Sequence, residues 1–418
     1  LYQKMYIRCT DYIPPSISIN FLTYLCTHIC ILMEKNYPML AKTFFGFEDI
    51  LATELLKLGA INVQKGVRNV SFEGDKGFMY KANLCLRTAL KILKPIHKFF
   101  VRNEKDYYQK LYDFQWEKYF DVKQTFAISV TLQTELFNHS QYVALRAKDA
   151  IVDRFRNTTG KRPNVDTLHP DLQLHIHVQK NEVIVSLDSS GASLHHRGYR
   201  SATNIAPINE VLAAGILLLS GWNGQSDFLD PMCGSGTFLI EAAMIACNIP
   251  ANIHRKEFAF EKWNDFDIDL FETIFDSCLK KTREFHYSIV GYDKAPSAVA
   301  KAKENLKNAN LSDYIEIKQK NFFESEKENK NSPLHMVFNP PYNERLQIDI
   351  PKFYESIGNT LKNNYPNTDA WFITSNLESL KYVGLRPSRK IKLFNGKLES
   401  RLLNYKMYEG SKKGKYNQ

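Results

Sequence analysis

Asn339-Pro340-Pro341-Tyr342 combines residue types that can grip an amine on a flat heteroaromatic ring. The side-chain oxygen of Asn339 and the backbone carbonyl of Pro340 can each accept one N–H of such an amine. Two consecutive prolines fix the backbone, so the carbonyl stays aimed without reorganising as the nitrogen reacts. Tyr342 offers a face on which a base can stack, worth about 1–3 kcal/mol. Upstream, Asp230-Pro231-Met232-Cys233-Gly234-Ser235-Gly236-Thr237 reads as a glycine turn at the end of a buried strand. In this order the two motifs specify transfer of a methyl group from S-adenosylmethionine (SAM) to an amine nitrogen of a nucleobase.

The cofactor contacts follow from the turn. Backbone N–H groups across Gly234, Ser235, Gly236 and Thr237, at a helix start, can hold the methionine carboxylate of SAM. Asp230 then faces the cationic amino end. Asp293, closing the next strand at Gly291-Tyr292-Asp293, can accept hydrogen bonds from both ribose hydroxyls. Asn321-Phe322, after the third strand, borders the adenine, and Asn339 belongs to both the cofactor and the acceptor site. A lone GxG is more often a turn without a ligand; the acid ending the second strand shifts the balance. GxGxxG is absent, because Thr237-Phe238-Leu239 follow Gly236, which argues against a dinucleotide. Cys233 has no His near it in sequence and reads as a tolerated small residue rather than a nucleophile.

These groups need a sheet with parallel strands. From about residue 205 the pattern is doubly wound α/β: strands at 226–230, 287–292, 314–318, 334–338 and 369–374, with helices near 236–247, 296–308 and 351–364. Segments 389–394 and 397–408 flank Asn395-Gly396, a strong hairpin signal. Parallel strands closed by an antiparallel hairpin suit the Rossmann-like seven-stranded sheet of class I SAM-dependent methyltransferases. The Phe- and Trp-rich stretch 248–286 is long for a crossover and adds local helices. Ahead of it, a strand at 41–45, a helix at 48–58 closed by Gly59, strands at 61–65 and 67–72, a helix near 75–89 and a strand at 91–100 form the β-α-β-β-α-β order of a ferredoxin-like unit. The next segment, 101–190, carries a strand at 125–132, a basic amphipathic helix at 140–155 and a strand pair, 172–178 and 182–187. That helix turns Val143, Ala147, Ile151 and Phe155 inward, and Arg146, Lys148, Arg154 and Arg156 outward. Lys161 and Arg162, in the loop that follows, are the better phosphate contacts, because the helix cations can equally be a solvated face.

The chain has 418 residues, enough for two or three cores. Its net charge of +10 suits a polyanionic partner such as nucleic acid. Seven scattered cysteines include no CxxC pair, which argues against a zinc ribbon or iron–sulfur cluster and for a reduced cytoplasmic setting. The apolar stretch 17–33 holds Asn20 and His28 and is shorter than the roughly 20 residues that a spanning helix requires. No small-residue cleavage site follows it. Residues 1–38 therefore read as an extension upstream of the first domain, with no membrane role.

From Met39 onward the chain resembles the THUMP-containing RNA methyltransferases, and within them the guanine-N2 enzymes of large-subunit rRNA. Leu194-His195-His196-Arg197-Gly198-Tyr199-Arg200 is similar to that family's connector, and Ala206-Pro207-Ile208-Asn209-Glu210 to the helix start that closes over SAM. Ile240-Glu241-Ala242-Ala243, Asp230–Thr237 and Asn339–Tyr342 complete the likeness. The resemblance implies a ferredoxin-like domain over 39–100, a THUMP RNA-binding domain over 101–190, a linker over 191–205, the catalytic domain over 206–410 and a basic tail over 411–418. It also implies Pro207 as a cofactor contact, and Arg146, Lys148, Lys161, Arg162, Arg197 and Arg200 as contacts to RNA. The expected partner is large-subunit rRNA, with SAM as cofactor and no metal. Many relatives carry Asp where Asn321 stands; an amide oxygen can still accept from the adenine amine. A tRNA guanine-N2 enzyme stays open, since THUMP domains also serve tRNA enzymes, and so does a DNA adenine-N6 enzyme, which shares the amine-gripping motif. A non-catalytic RNA-binding protein would not need that motif intact.

Overall fold

The computed structural model describes residues 36–201, 207–341 and 349–408. The apolar stretch 17–33, Tyr342 and the basic tail lie outside them. Among the described residues no helix is long and apolar enough to cross a membrane.

The front half is built on β1 (Tyr37–Lys42), α1 (Glu48–Leu58), β2 (Ile61–Lys65), β3 (Asn69–Gly74), α2 (Lys76–Cys85) and β4 (Lys91–Phe100). It continues with α3 (Glu104–Asp113), β5 (Phe126–Gln133), α4 (Ser140–Thr159), β6 (Leu172–Gln179) and β7 (Glu182–Asp188). Helix ends obey local chemistry. Gly59 takes a left-handed φ of 106° and returns its N–H to Leu55 and Leu56, while Asp75 caps α2 by accepting from Phe78 N at 2.7 Å. The expected β-α-β-β-α-β unit forms, but it does not stand apart. Strand β4 pairs with both β1 and β7, so one seven-stranded sheet, β2-β3-β1-β4-β7-β6-β5, runs through both front segments. The sequence shows no helix at α3; its short amphipathic pattern lies inside a charged, tyrosine-rich run.

The catalytic half comprises α5 (Glu210–Leu219), β8 (Asp227–Asp230), α6 (Thr237–Ala246), α7 (Ile268–Leu279), β9 (Ile289–Asp293), α8 (Pro296–Asn308) and β10 (Ile315–Gln319). After them come β11 (Leu334–Phe338), α9 (Ile350–Asn364), β12 (Thr368–Thr374), β13 (Arg389–Asn395) and β14 (Leu398–Met407). Sheet order is β10-β9-β8-β11-β12-β14-β13, parallel except for the final hairpin. Apolar clusters cover both faces. One, around α5, α6 and α8, takes in Phe47 from the front half; the other lies between the sheet and α9, around Phe322, Phe338, Tyr354 and Tyr365.

The two halves meet through polar groups that apolar contacts alone would leave unsatisfied. Arg87 donates to the carbonyls of Met244 (3.0 Å) and Ile249 (2.7 Å), and Asn252 donates to Asn83 O at 2.7 Å. Cys85 on α2 and Cys278 on α7 approach to 3.4 Å as free thiols.

Candidate active site

Strand order places the two motifs side by side. Chain order reverses at β8: β9 and β10 lie on one side, β11 and β12 on the other. Such a reversal opens a crevice at the carboxyl edge of a parallel sheet. Leu229 pairs with Met336 and Asp230 with Gly291, so Asp230, Asp293 and Asn339 all leave the sheet at that edge on adjacent strands. Neighbouring strands lie about 4.8 Å apart, which keeps the three within one small-molecule length.

The glycine turn is held tightly. Cys233 N donates to Tyr292 O and Gly236 N to Cys233 O, each at 2.8 Å, and Gly234 N donates to Asp293 Oδ2 at 3.0 Å. Gly234 and Gly236 both take positive φ, 54° and 82°. A Cβ at Gly236 would also press on Leu306 at 3.3 Å and Ala302 at 3.4 Å, so this glycine lets α8 approach. No side chain caps α6 at Gly236.

Asp230 is buried, and among the described residues its hydrogen-bond donor is Met232 N at 3.1 Å. Burial, then the charge of Asp293, lifts its carboxyl well above the usual range. A buried acid without a cation is poised to take one, and the ammonium of a bound amino acid would restore its ordinary ionisation. Asp293 already accepts from Gly234 N through Oδ2 and from Ala295 N through Oδ1 (2.9 Å). One lone pair on each oxygen stays free for ribose hydroxyls. Asn321 caps a short turn: its oxygen accepts from Phe323 N at 3.2 Å and its amide donates to Glu324 at 2.7 Å.

At the end of β11, the Oδ1 of Asn339 is buried and has no hydrogen-bond partner among the described residues. An orphaned amide oxygen costs about 1–3 kcal/mol, an expense that a ligand N–H would remove. Pro340 is buried beside it, and Pro341 is exposed. Among the described residues no group of three His, Cys, Asp or Glu side chains is arranged for a metal.

Some expected contacts sit elsewhere. Phe322 is only 2% exposed and packs its ring on Phe338 (5.7 Å) and Tyr365 (5.6 Å), in the core rather than against an adenine face. Arg197 is a correction. Its side chain is fully buried and donates to Glu241, Leu194 O, Asn252 and Arg87 O at 3.3, 3.0, 3.1 and 2.6 Å, so no phosphate can reach it. Arg200 likewise turns inward, donating to Thr237 Oγ1 at 2.8 Å and Ile208 O at 3.0 Å. Arg154 is tied to Glu117 at 2.9 Å, and Arg146 lies over the Tyr108 ring at 4.7 Å. Lys148 pairs with Asp149 at 2.7 Å, whereas Lys161 and Arg162 are exposed. Pro207 is half-buried just before α5. Cys233 is buried and its thiol is pushed well up by burial, then by Asp230 and Asp293, which removes it as a nucleophile.

Glu241, which has no function of its own in the motif pattern, anchors the connector to α6, receiving Arg197 Nε and the Tyr199 hydroxyl, each at 3.3 Å. The signal was present: one acid in the otherwise apolar run TFLIEAAMIA demands a buried partner.

Comparison with known proteins follows the same layout. Residues 197–404 match a family described as RMKL-like methyltransferase domain, 101–188 match the THUMP domain, and 38–93 match the RlmL ferredoxin-like domain. A putative RNA methyltransferase of Synechocystis is 34% identical over 374 residues, covering 89% of this chain and 97% of that protein. The ribosomal RNA large subunit methyltransferase K/L of Syntrophotalea carbinolica is 35% identical over 389 residues, 90% of this chain and 54% of the relative. The chain thus spans about half the length of that K/L protein. The solved structure of SMU.472, a putative methyltransferase complexed with SAH, superposes with a TM-score of 0.79 at 28% identity, covering 91% of this chain and 100% of the other.

Proposed function

This chain belongs to the RMKL-like methyltransferase family with ferredoxin-like and THUMP domains in front, and from that premise we propose that it methylates the N2 amine of a guanine in large-subunit ribosomal RNA, using SAM. The observation that carries this is the buried Asn339 oxygen at the end of β11, without a partner among the described residues and one strand from the buried Asp230.

SAM, when bound, would supply a methyl group on a positively charged sulfur, which keeps the C–S bonding pair and is left as a neutral thioether when the methyl moves to nitrogen. The residues of this chain do the positioning. Asp230 and the glycine turn would hold the amino-acid end, and Asp293 would accept from the ribose. Asn339 Oδ1 and the Pro340 carbonyl accept the two N–H groups of the amine. That grip favours the pyramidal nitrogen, whose lone pair is then free to bond to carbon. Fixing the nitrogen between Asn339 and Pro340, beside the cofactor turn, would supply most of the acceleration through proximity. No strong base is required, because the amine becomes acidic as the N–C bond forms and releases its proton to water. Extracting a base from its stack costs a few kcal/mol. Two hydrogen bonds of about 1–1.5 kcal/mol each, with ring stacking, offset that.

The activity named for the K/L relative supports ribosomal RNA, and the THUMP match supports capture of RNA by the front half. Nucleoside mass spectrometry on a strain lacking the gene tests the reading. Loss of 2-methylguanosine from large-subunit rRNA is the expected result. Its loss from tRNA instead would reassign the substrate, and unchanged 2-methylguanosine in both pools would end the guanine-N2 reading.

A further inference from the structure

The tip of the β13–β14 hairpin and the front half meet at the same sheet edge as the active site. Phe338 pairs with Phe372, so Asn339 lies level with Ile373. Thr374, the last residue of β12, pairs with Arg401, which pairs with Lys392. Residues 393–398 therefore project past the carboxyl end of β12, on the side where Asn339 leaves the sheet. Three strand spacings separate β13 from β11, about 14 Å.

Two turns of the front half rest on this tip. Phe45, after β1, meets the Phe394 ring edge-on at 5.7 Å, and the Arg68 guanidinium, from the β2–β3 turn, sits 5.9 Å from the same ring. Lys392 covers it from 5.4 Å. The acid at the tip, Glu399, is shared by Lys392 (2.7 Å) and Arg401 (3.1 Å). Glu48 is occupied by the backbone N–H groups of Gly46 and Arg68, and Asp49 by Lys65. Neither Arg68 nor Lys397 has an acidic partner among the described residues. Apolar side chains lie open among these cations: Val67 at 79% exposure, Leu398 at 57% and Phe45 at 40%.

Protection of a sheet edge accounts for part of this pattern, since cations on an outer strand such as β13 discourage unwanted pairing. It does not account for Arg68, which belongs to the other half of the molecule, nor for exposed apolar groups beside it. Cations, two of them without an acidic partner among the described residues, interleaved with open ring and aliphatic faces match the two faces of a single strand of RNA: phosphates outside, bases stacked within. We propose that this junction, around Arg68, Lys392, Phe394 and Lys397, is a docking surface for the unpaired RNA that flanks the target nucleotide. It rests on the RNA methyltransferase reading above and adds the route by which substrate approaches Asn339.

The test compares the parent protein with Arg68→Gln/Lys392→Gln/Lys397→Gln, and with a control, Lys280→Gln/Lys303→Gln/Lys307→Gln, on exposed positions elsewhere. Binding to transcribed large-subunit rRNA is titrated across a salt series, with SAM affinity measured by calorimetry as a check on folding. The junction variant should bind RNA about tenfold more weakly or worse, with a salt slope shallower by about 2–3. Its SAM affinity should be unchanged, and the control should behave as the parent. Parent-like RNA affinity and slope in the junction variant overturn the proposal while leaving the methyltransferase reading intact. Equal loss in the control overturns it too, because bulk charge then explains the effect. A parent that neither binds nor methylates RNA defeats both. Loss of binding to phosphatidylserine vesicles with RNA affinity unchanged would reassign the surface to an anionic membrane.

Discussion

Asn339 and Arg197 show how much a single side chain depends on where its polar atoms end up. Both stand in motifs visible in the sequence. Asn339 keeps a buried oxygen without a partner among the described residues, the condition expected of an acceptor that waits for substrate. Replacing it in Asn339→Ala should lower turnover by about 10²–10³-fold, on the scale of losing one preorganised polar contact to the reacting group. SAM affinity, read by calorimetry, should stay within about twofold. Near-normal turnover would remove the amine grip from the mechanism. Arg197 has its donors filled by Glu241, Asn252 and two carbonyls. Breaking that buried pair in Arg197→Ala should cost about 3–5 kcal/mol of stability in urea unfolding. The salt slope of RNA binding should not change, which separates a buried anchor from a phosphate contact. In sequence the two roles look alike, because an arginine in a polar connector carries no mark of which way it faces.

At the scale of elements, periodicity and turn chemistry placed most strands and helices near their observed bounds. Helix α1, strand β4, strand β11 and helix α8 fall where the pattern put them. Gly59 stops α1 with a left-handed φ, and Gly396 turns the last hairpin at 63°. Two misses have a common cause: α3 is amphipathic over only ten residues, and α4 runs to Thr159 through a polar end where the apolar stripe has already faded. A third is β1, expected at 41–45 and observed at Tyr37–Lys42, where pairing with β3 sets the bounds. Helix α5 carries a titratable feature that no pattern announces. Burial pushes Glu210, in its first turn, up to about 7 from 4.5, with Arg200 opposing the shift. The folded state then holds a proton that the unfolded chain has released, so Glu210's contribution to stability is fully present below about pH 4.5 and is lost as pH rises to about 7. Glu210→Gln should flatten that decline, by up to about 3 kcal/mol, in chemical unfolding followed across pH. An unaltered slope would mean another group is responsible.

For the molecule as a whole, the front sheet and the catalytic sheet act as one body because buried polar groups bridge them. Arg87 reaches two carbonyls of the catalytic half, and Arg197 returns to Arg87 O. A single calorimetric transition is expected for the parent. Arg87→Ala, which strips this bridge, should separate it into two transitions or lower the midpoint by several degrees; a single parent-like endotherm would show that apolar contacts such as Phe47 suffice. From residue order alone came the fold class, the glycine turn and the proposed amine-gripping motif. Each of these depends on spacing within one strand and its adjoining turn, which local sterics enforce. Three-dimensional packing alone set β4 joining two front segments into one sheet, Arg197 as an internal anchor, and the hairpin tip sharing an edge with Asn339. Those outcomes depend on which distant strands pair and which charges are sealed from water, and burial is a property of the folded chain rather than of any stretch of its residues.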